Sequence, residues 1–163
     1  MPTTLAATTI AAASQLLICE LAMYSLALES NNRDQIAQVL QNEGWVVACL
    51  CAAWCNTCNG YRKGFDELAV RNPSFRFTWI DIEDQADVVG DLDVVNFPTL
   101  LLQKGNAVTF FGPVLPDPHV AERLIQAQAE MSAGEIAKIT AVGDRAAWQE
   151  KCNLLHLLQA AVP

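Results

Sequence analysis

The pattern of apolar and polar positions predicts four strands that share one sheet. A continuous apolar run over residues 45–51, β-branched near its start, is typical of a buried central strand. The alternating residues 75–82 predict a second strand, and residues 99–103 and 107–111 predict a hairpin around the turn signal Lys104-Gly105-Asn106. The hairpin pairs antiparallel strands, so a sheet that contains it together with crossover-linked strands is mixed.

Apolar residues at helical spacing predict helices between these strands and after them. The predicted helices cover residues 34–43, 58–70, 84–92 and 117–131. Strands that alternate with helices indicate an α/β fold whose sheet is partly parallel. We expect a central domain over residues 32–131, with a helical extension before it at 1–31 and another after it at 132–163.

The N-terminal extension is an apolar segment with an ambiguous role. Residues 3–28 carry Glu20 as their one charge, and the first basic residue of the chain is Arg33, so the basic start of a secretory signal is missing. Threonine, serine and glutamine dilute the apolar run that a membrane span needs. We therefore expect an amphipathic helix that packs on protein, with a membrane or export segment as the alternative.

The C-terminal extension carries an apolar stripe that we expect to pack against another apolar surface. Trp148, Cys152, Leu155 and Leu158 recur along one side of a predicted helix. Packing on the N-terminal helix of the same chain and packing between two copies would bury similar apolar area. The sequence leaves both open, so a homodimer through the helical ends stays an alternative.

The net charge of the chain argues against one class of partner, nucleic acids. The 163 residues have a formal net charge of -8, and the sequence contains no run of lysine or arginine. Phosphate backbones are bound by basic surfaces, so we expect no nucleic-acid partner.

Four of the six cysteines crowd into ten residues, at Cys49, Cys51, Cys55 and Cys58. Such a cluster favours redox or metal chemistry over a dispersed disulfide framework. From strand alternation we expect Cys49 and Cys51 to face opposite ways and not to pair, which argues against a metal site built from all four. Cys49 is then expected beneath Cys58, where a Cys49–Cys58 bridge is conceivable, although two inert buried cysteines are the simpler interpretation.

The spacing Cys55-Asn56-Thr57-Cys58 after a strand and at a helix start suits thiol–disulfide exchange. Helix N-terminal amides and the helix dipole favour a thiolate on the first cysteine, and in such motifs the thiol pKa can fall from about 8.5 to about 7 or lower. Cys55 is the expected nucleophile, and Cys58, one turn later, is expected to resolve the mixed disulfide. Asn56 and Thr57 are expected to modulate the redox potential.

Trp54-Cys55-Asn56-Thr57-Cys58, the buried strand before it and Phe97-Pro98-Thr99 together resemble the thioredoxin superfamily, over about residues 33–130. The resemblance implies a thioredoxin fold, with a central mixed sheet flanked by helices, and a cis peptide before Pro98. It implies a substrate surface formed by Trp54, Phe97, Pro98 and Gly112. It also implies a redox-active disulfide in place of any cofactor or metal, and a disulfide-containing protein as substrate.

The sequence departs from that family in two places. Thioredoxins carry a buried aspartate six residues before the first cysteine, and Cys49 stands there, so the group that handles the proton of the second cysteine is missing. The first family strand is also not evident, because helical sequence occupies its place.

These observations leave two functions open. The first is a thiol–disulfide oxidoreductase, whose natural substrate could be one dedicated partner; the second is a binding or assembly module that uses the same fold. The lack of a basic leader and the unpaired cysteines favour a cytoplasmic location, with the periplasm as the alternative.

Overall fold

The computed structural model describes residues 25–161, and its centre is a mixed five-stranded sheet. The strands are β1 (Leu26–Ala27), β2 (Trp45–Cys51), β3 (Phe75–Asp81), β4 (Thr99–Lys104) and β5 (Ala107–Pro113). Their spatial order is β1-β3-β2-β4-β5. β1 and β2 each pair parallel with β3, β4 pairs antiparallel with β2, and β5 pairs antiparallel with β4. The predicted mixed α/β sheet is therefore confirmed, and β2 lies at its centre.

Seven helices accompany the strands in the described part of the chain. They are α1 (Arg33–Gln41), α2 (Asn56–Arg71), α3 (Ala86–Val89), α4 (Pro118–Ala129), α5 (Ala133–Thr140), α6 (Gly143–Lys151) and α7 (Leu154–Ala160). The four helices predicted within the central domain are all present, with ends that differ by a few residues. The C-terminal extension consists of three short helices, since it is interrupted at residues 141–142 and 152–153.

Strand β2 is apolar throughout because helices cover both faces of the sheet. Val46, Ala48 and Leu50 belong to one buried cluster, and the alternate residues from 47 to 51 belong to the other. We call these the α7 face and the cysteine face. On the α7 face, β2 packs with side chains of α1, α3 and α7; on the cysteine face, it packs with side chains of α2 and α4. The cysteine face takes its name from Cys49, Cys51 and Cys58.

The C-terminal helices pack on the sheet of their own chain. Leu154, Leu155 and Leu158 are buried in the α7 face. A buried amide pair anchors this contact: Gln103 Nε2 on β4 donates to Asn153 Oδ1 at 2.8 Å, and Gln103 Oε1 accepts from the Leu154 amide at 2.8 Å. The apolar stripe predicted from sequence is thus largely covered by the central domain.

The N-terminal region differs from the expectation at the residues the structure describes. Leu26 and Ala27, predicted as the end of a helix, form β1 and pair with Thr78 and Trp79 of β3. The missing first strand therefore exists, but a strand of two residues has too few positions to show a period. The rest of the predicted N-terminal helix lies outside the described residues, and the boundaries at 31 and 131 stay predictions. Within residues 25–161, no helix combines the length and apolarity needed to cross a membrane.

Candidate active site

Cys55 lies at the point where the chain leaves the sheet and enters α2. Its backbone is extended, with φ −83° and ψ 109°, and it is the N-cap residue of the helix. The Cys55 sulfur accepts a hydrogen bond from the Cys58 amide at 3.5 Å, as the side chain of an N-cap residue does. The side chain is half-buried and its sulfur is free. The helix start therefore holds one accessible thiol against its first unsatisfied amides.

Aromatic and apolar residues surround this thiol. Trp54 is 65% exposed, its ring packs edge-on against Phe97 with centroids 5.7 Å apart, and its indole Nε1 donates to Glu83 Oε1 at 3.1 Å. Phe97 is half-buried against the cysteine face, as Cys55 is. The Phe97-Pro98 peptide is cis, as the resemblance implies. Trp54, next to Cys55 in sequence, and Phe97 thus form a partly exposed aromatic pair.

The other residues predicted for substrate contact occupy different settings. Asn56 and Thr57 are exposed in the first turn of α2, whereas Pro98 is buried and its carbonyl accepts from the Val114 amide at 3.0 Å. Gly112 on β5 is opposite Leu100 of β4, and a Cβ there would meet only Phe110, at an ordinary 3.6 Å. The fold itself therefore does not require glycine at 112, and a substrate role for this residue stays a prediction.

Cys58 is bonded to a cysteine that the sequence reasoning did not assign to the site. The Cys51 and Cys58 sulfurs form a disulfide, with Cα atoms 5.9 Å apart, while Cys55 remains free. Cys51 is the last residue of β2, and the first turn of α2 brings Cys58 over it. Both side chains are buried, at 1% and 0% exposure.

The expectation that Cys49 and Cys51 face opposite ways is wrong. Successive residues of a strand alternate, so residues two apart share a face. The two sulfurs are 3.7 Å apart on the cysteine face. It is Cys51, not Cys49, that reaches Cys58. The period-two rule would have indicated from the sequence only that both cysteines share one face of the sheet.

Cys49 occupies a closed environment next to this disulfide. It is fully buried, and burial raises the pKa of the Cys49 thiol well above its ordinary range, an effect that the positive charge of Arg62 offsets only in part. No aspartate or glutamate side chain among residues 25–161 is buried. In the described part of the chain, therefore, a thiol and not a carboxylate lies beneath the motif. The same residues contain no group of three or more histidine, cysteine or acidic side chains arranged to hold a metal ion.

Comparison with known proteins identifies the family. The thioredoxin family model matches residues 27–116. The thioredoxin-like protein CXXS1 of Oryza sativa subsp. japonica is 33% identical over 98 residues, which cover 60% of this chain and 73% of that protein. Protein disulfide-isomerase A4 of Mus musculus is 29% identical over 89 residues, which cover 52% of this chain but 14% of the isomerase.

Solved structures agree on the fold. A wild-type thioredoxin h from poplar superposes with a TM-score of 0.59 at 19% identity, covering 67% of this chain and 99% of that structure. A mutant thioredoxin from Halobacterium salinarum NRC-1 superposes with a TM-score of 0.58 at 20% identity, covering 68% and 96%. Together with the paired cysteines, the family match supports a thiol–disulfide oxidoreductase. The chain belongs to the thioredoxin family.

Proposed function

We propose that this protein exchanges disulfides with protein substrates and that Cys55 is the attacking thiol. The observation that carries the proposal is the position of Cys55: a half-buried residue at the start of α2 whose free sulfur accepts the Cys58 amide hydrogen bond. A thiolate is the nucleophile in such exchange, and helix amides favour negative charge at that position.

The reaction has two steps in the dithiol form of the protein. The Cys55 thiolate attacks one sulfur of a substrate disulfide, forms a mixed disulfide and releases the other sulfur as a thiolate. The Cys58 thiolate then attacks the Cys55 sulfur, which forms a Cys55–Cys58 disulfide and releases the substrate as a dithiol. Two electrons pass from the protein to the substrate, and reversal of both steps would oxidise a substrate instead.

The surface around Cys55 suits a protein substrate. Trp54 and Val95 are exposed to 65% and 70%, and Phe97, whose ring packs against Trp54, is half-buried. A contiguous exposed apolar patch marks a contact surface, and in this proposal Trp54, Val95 and Phe97 form one beside Cys55. Phe97, Pro98 and Gly112 remain, in this proposal, the backbone positions along which an extended substrate segment would lie.

Insulin reduction with dithiothreitol as electron donor tests the proposal. We expect the wild-type chain to accelerate precipitation of the insulin B chain and Cys55→Ser to fall to the uncatalysed rate. Cys152→Ala is the matched control, because Cys152 is buried on the α7 face, and it should keep wild-type turnover. Wild-type turnover equal to that of Cys55→Ser would reject the oxidoreductase proposal.

A binding or assembly module is the second candidate, and one observation favours it. Cys58 is already bonded to Cys51, and with that disulfide in place a mixed disulfide at Cys55 has no resolving thiol. Such a protein would stay bonded to its partner through a mixed disulfide at Cys55 instead of reducing and releasing it. The partner would be a dedicated one. The insulin assay separates the two candidates, since a holding module shows no turnover.

A cytoplasmic setting is part of the proposal, with the periplasm as the alternative. Cys49, Cys55 and Cys152 are free thiols in the described residues, and reducing compartments preserve free thiols. Fractionation of the source cells with an antibody against the chain would test this directly.

A further inference from the structure

Cys58 has a cysteine neighbour on each of two sides. On the buried side, at the end of β2, Cys51 is bonded to it. On the solvent side, at the N-cap of α2, Cys55 lies one turn earlier with its sulfur on the Cys58 amide. The first turn of the helix therefore places Cys58 between an accessible thiol and an enclosed one.

We propose that Cys51 is a third redox-active thiol of this site, and that it exchanges with Cys55 for the sulfur of Cys58. Oxidation that arrives at Cys55 is then moved inward and stored in the buried Cys51–Cys58 disulfide. The inference deepens the proposed function, because it rests on Cys55 as the first point of attack.

The exchange is a balanced isomerisation. After a substrate disulfide has been reduced, the protein holds a Cys55–Cys58 disulfide and a Cys51 thiol. Cys51 attacks the Cys58 sulfur as a thiolate, the Cys51–Cys58 bond forms, the Cys55–Cys58 bond breaks, and Cys55 leaves as a thiolate. The proton lost by Cys51 returns to the protein at Cys55, and no oxidant is consumed beyond the substrate disulfide.

Cys49 has a supporting place in this step. Its sulfur is 3.7 Å from that of Cys51, within reach of an S–H hydrogen bond. Burial and the raised pKa of Cys49 keep its proton on the sulfur. A protonated Cys49 can donate to the Cys51 thiolate as it forms, in a cluster where none of the described acidic side chains is buried.

The consequence is an oxidised protein that still presents a nucleophile. With Cys58 held by Cys51, the half-exposed Cys55 is a free thiol beside Trp54. A second substrate disulfide attacked in this state forms a mixed disulfide that Cys58 cannot resolve. The same chain then exchanges disulfides while its dithiol is reduced, and holds its partner once the inner disulfide has formed.

Disulfide mapping of the full chain tests the proposal. The reduced protein is oxidised with glutathione disulfide, quenched in acid, alkylated with N-ethylmaleimide and digested with chymotrypsin. Cleavage after Leu50, Trp54 and Tyr61 separates peptide 51–54 from peptide 55–61. We expect most of the oxidised protein to yield these two peptides cross-linked, with Cys55 carrying either the alkyl group or one glutathione. A majority of peptide 55–61 closed on itself, with Cys51 alkylated, would overturn the proposal.

Two variants and a control complete the test. Cys51→Ala should yield only the closed 55–61 peptide, and the control Cys152→Ala, on the α7 face, should keep the Cys51–Cys58 link. In Cys55→Ala, oxidation of Cys51 and Cys58 by glutathione disulfide should be at least about tenfold slower, because the buried pair has lost its accessible first thiol. Equal rates in Cys55→Ala and wild type would overturn the inward transfer. None of these outcomes depends on insulin reduction, so failure of the proposed function is seen separately.

Discussion

The two faces of the sheet bury cysteines among different neighbours. On the cysteine face, the sulfurs of Cys49, Cys51 and Cys58 lie together, and the half-exposed Cys55 packs against the same cluster. On the α7 face, Cys152 is 5% exposed among leucines and valines, and its sulfur is free. Both faces bury cysteines, but among residues 25–161 only the cysteine face has a half-buried thiol packed against its buried sulfurs.

In our proposal, this difference separates a buried thiol that takes part in disulfide exchange from one that does not. Desolvation suppresses the thiolate on both faces and makes an isolated cysteine behave as a small apolar residue. A buried sulfur becomes reactive when an accessible thiol can pass a disulfide bond to it. In the proposed exchange, Cys55 passes its disulfide bond to Cys58, and the first turn of α2 holds Cys58 against Cys51.

The largest expected effect is a loss of stability caused by a substitution on the α7 face, away from the proposed redox site. Leu154→Ala removes a side chain with 0% exposure at the start of α7. The lost burial and the cavity should lower the free energy of unfolding by about 2–5 kcal/mol, measured by urea denaturation. The rate at which iodoacetamide alkylates Cys55 in the folded protein should not change.

Leu157→Ala is the matched control for this prediction. Leu157 lies on the same helix but is only partly buried against the α7 face. Its truncation should cost clearly less stability than that of Leu154. Equal losses, or a changed Cys55 rate in Leu154→Ala, would show that the two faces are not independent.

A smaller effect concerns the pH dependence of stability. Burial raises the pKa of Cys152 to about 11. In the unfolded chain a cysteine titrates near about 8.5, so between these values the unfolded state binds fewer protons than the native state and stability falls as pH rises. Cys152→Ala should flatten this alkaline decline in urea-denaturation curves taken from about pH 8 to about pH 11.

Cys49 contributes to the alkaline decline of stability in both wild type and Cys152→Ala, because burial raises the pKa of its thiol as well. Some alkaline decline should therefore remain in Cys152→Ala. An unchanged slope would mean that Cys152 is solvated in the native state.

The sequence predicted most of the fold because its strands and helices are long enough to show their periods. Strand β2 was predicted with the bounds it has, and α2 begins directly after Cys55, which was expected at a helix start, although the helix was predicted from residue 58. Leu26–Ala27 could not be predicted, since two residues show no period and their strand exists only through pairing with β3. Whether the C-terminal stripe packs within the chain also depends on contacts, such as Gln103 with Asn153, that lie far apart in sequence.

The site was predicted in part, and the residue that the prediction left out is Cys51. Cys55, Trp54 and the Phe97-Pro98 peptide follow from a local motif and a family resemblance, and their geometry agrees with it. Cys51 was missed through a misapplied alternation, although residues two apart on β2 must share a face. Which of Cys49 and Cys51 meets Cys58 is settled by the packing of α2 on the strand, and this position is not encoded in spacing alone.

The most direct test of the account is the reactivity of Cys55 in the fully oxidised protein. Alkylation by iodoacetamide would be followed by mass spectrometry in wild type and Cys51→Ala, each oxidised and each reduced. We predict that oxidation leaves the wild-type rate within about twofold and slows the Cys51→Ala rate at least about tenfold, because only the variant must hold Cys55 in a disulfide. An oxidised wild-type protein whose Cys55 is as unreactive as that of Cys51→Ala would contradict the account.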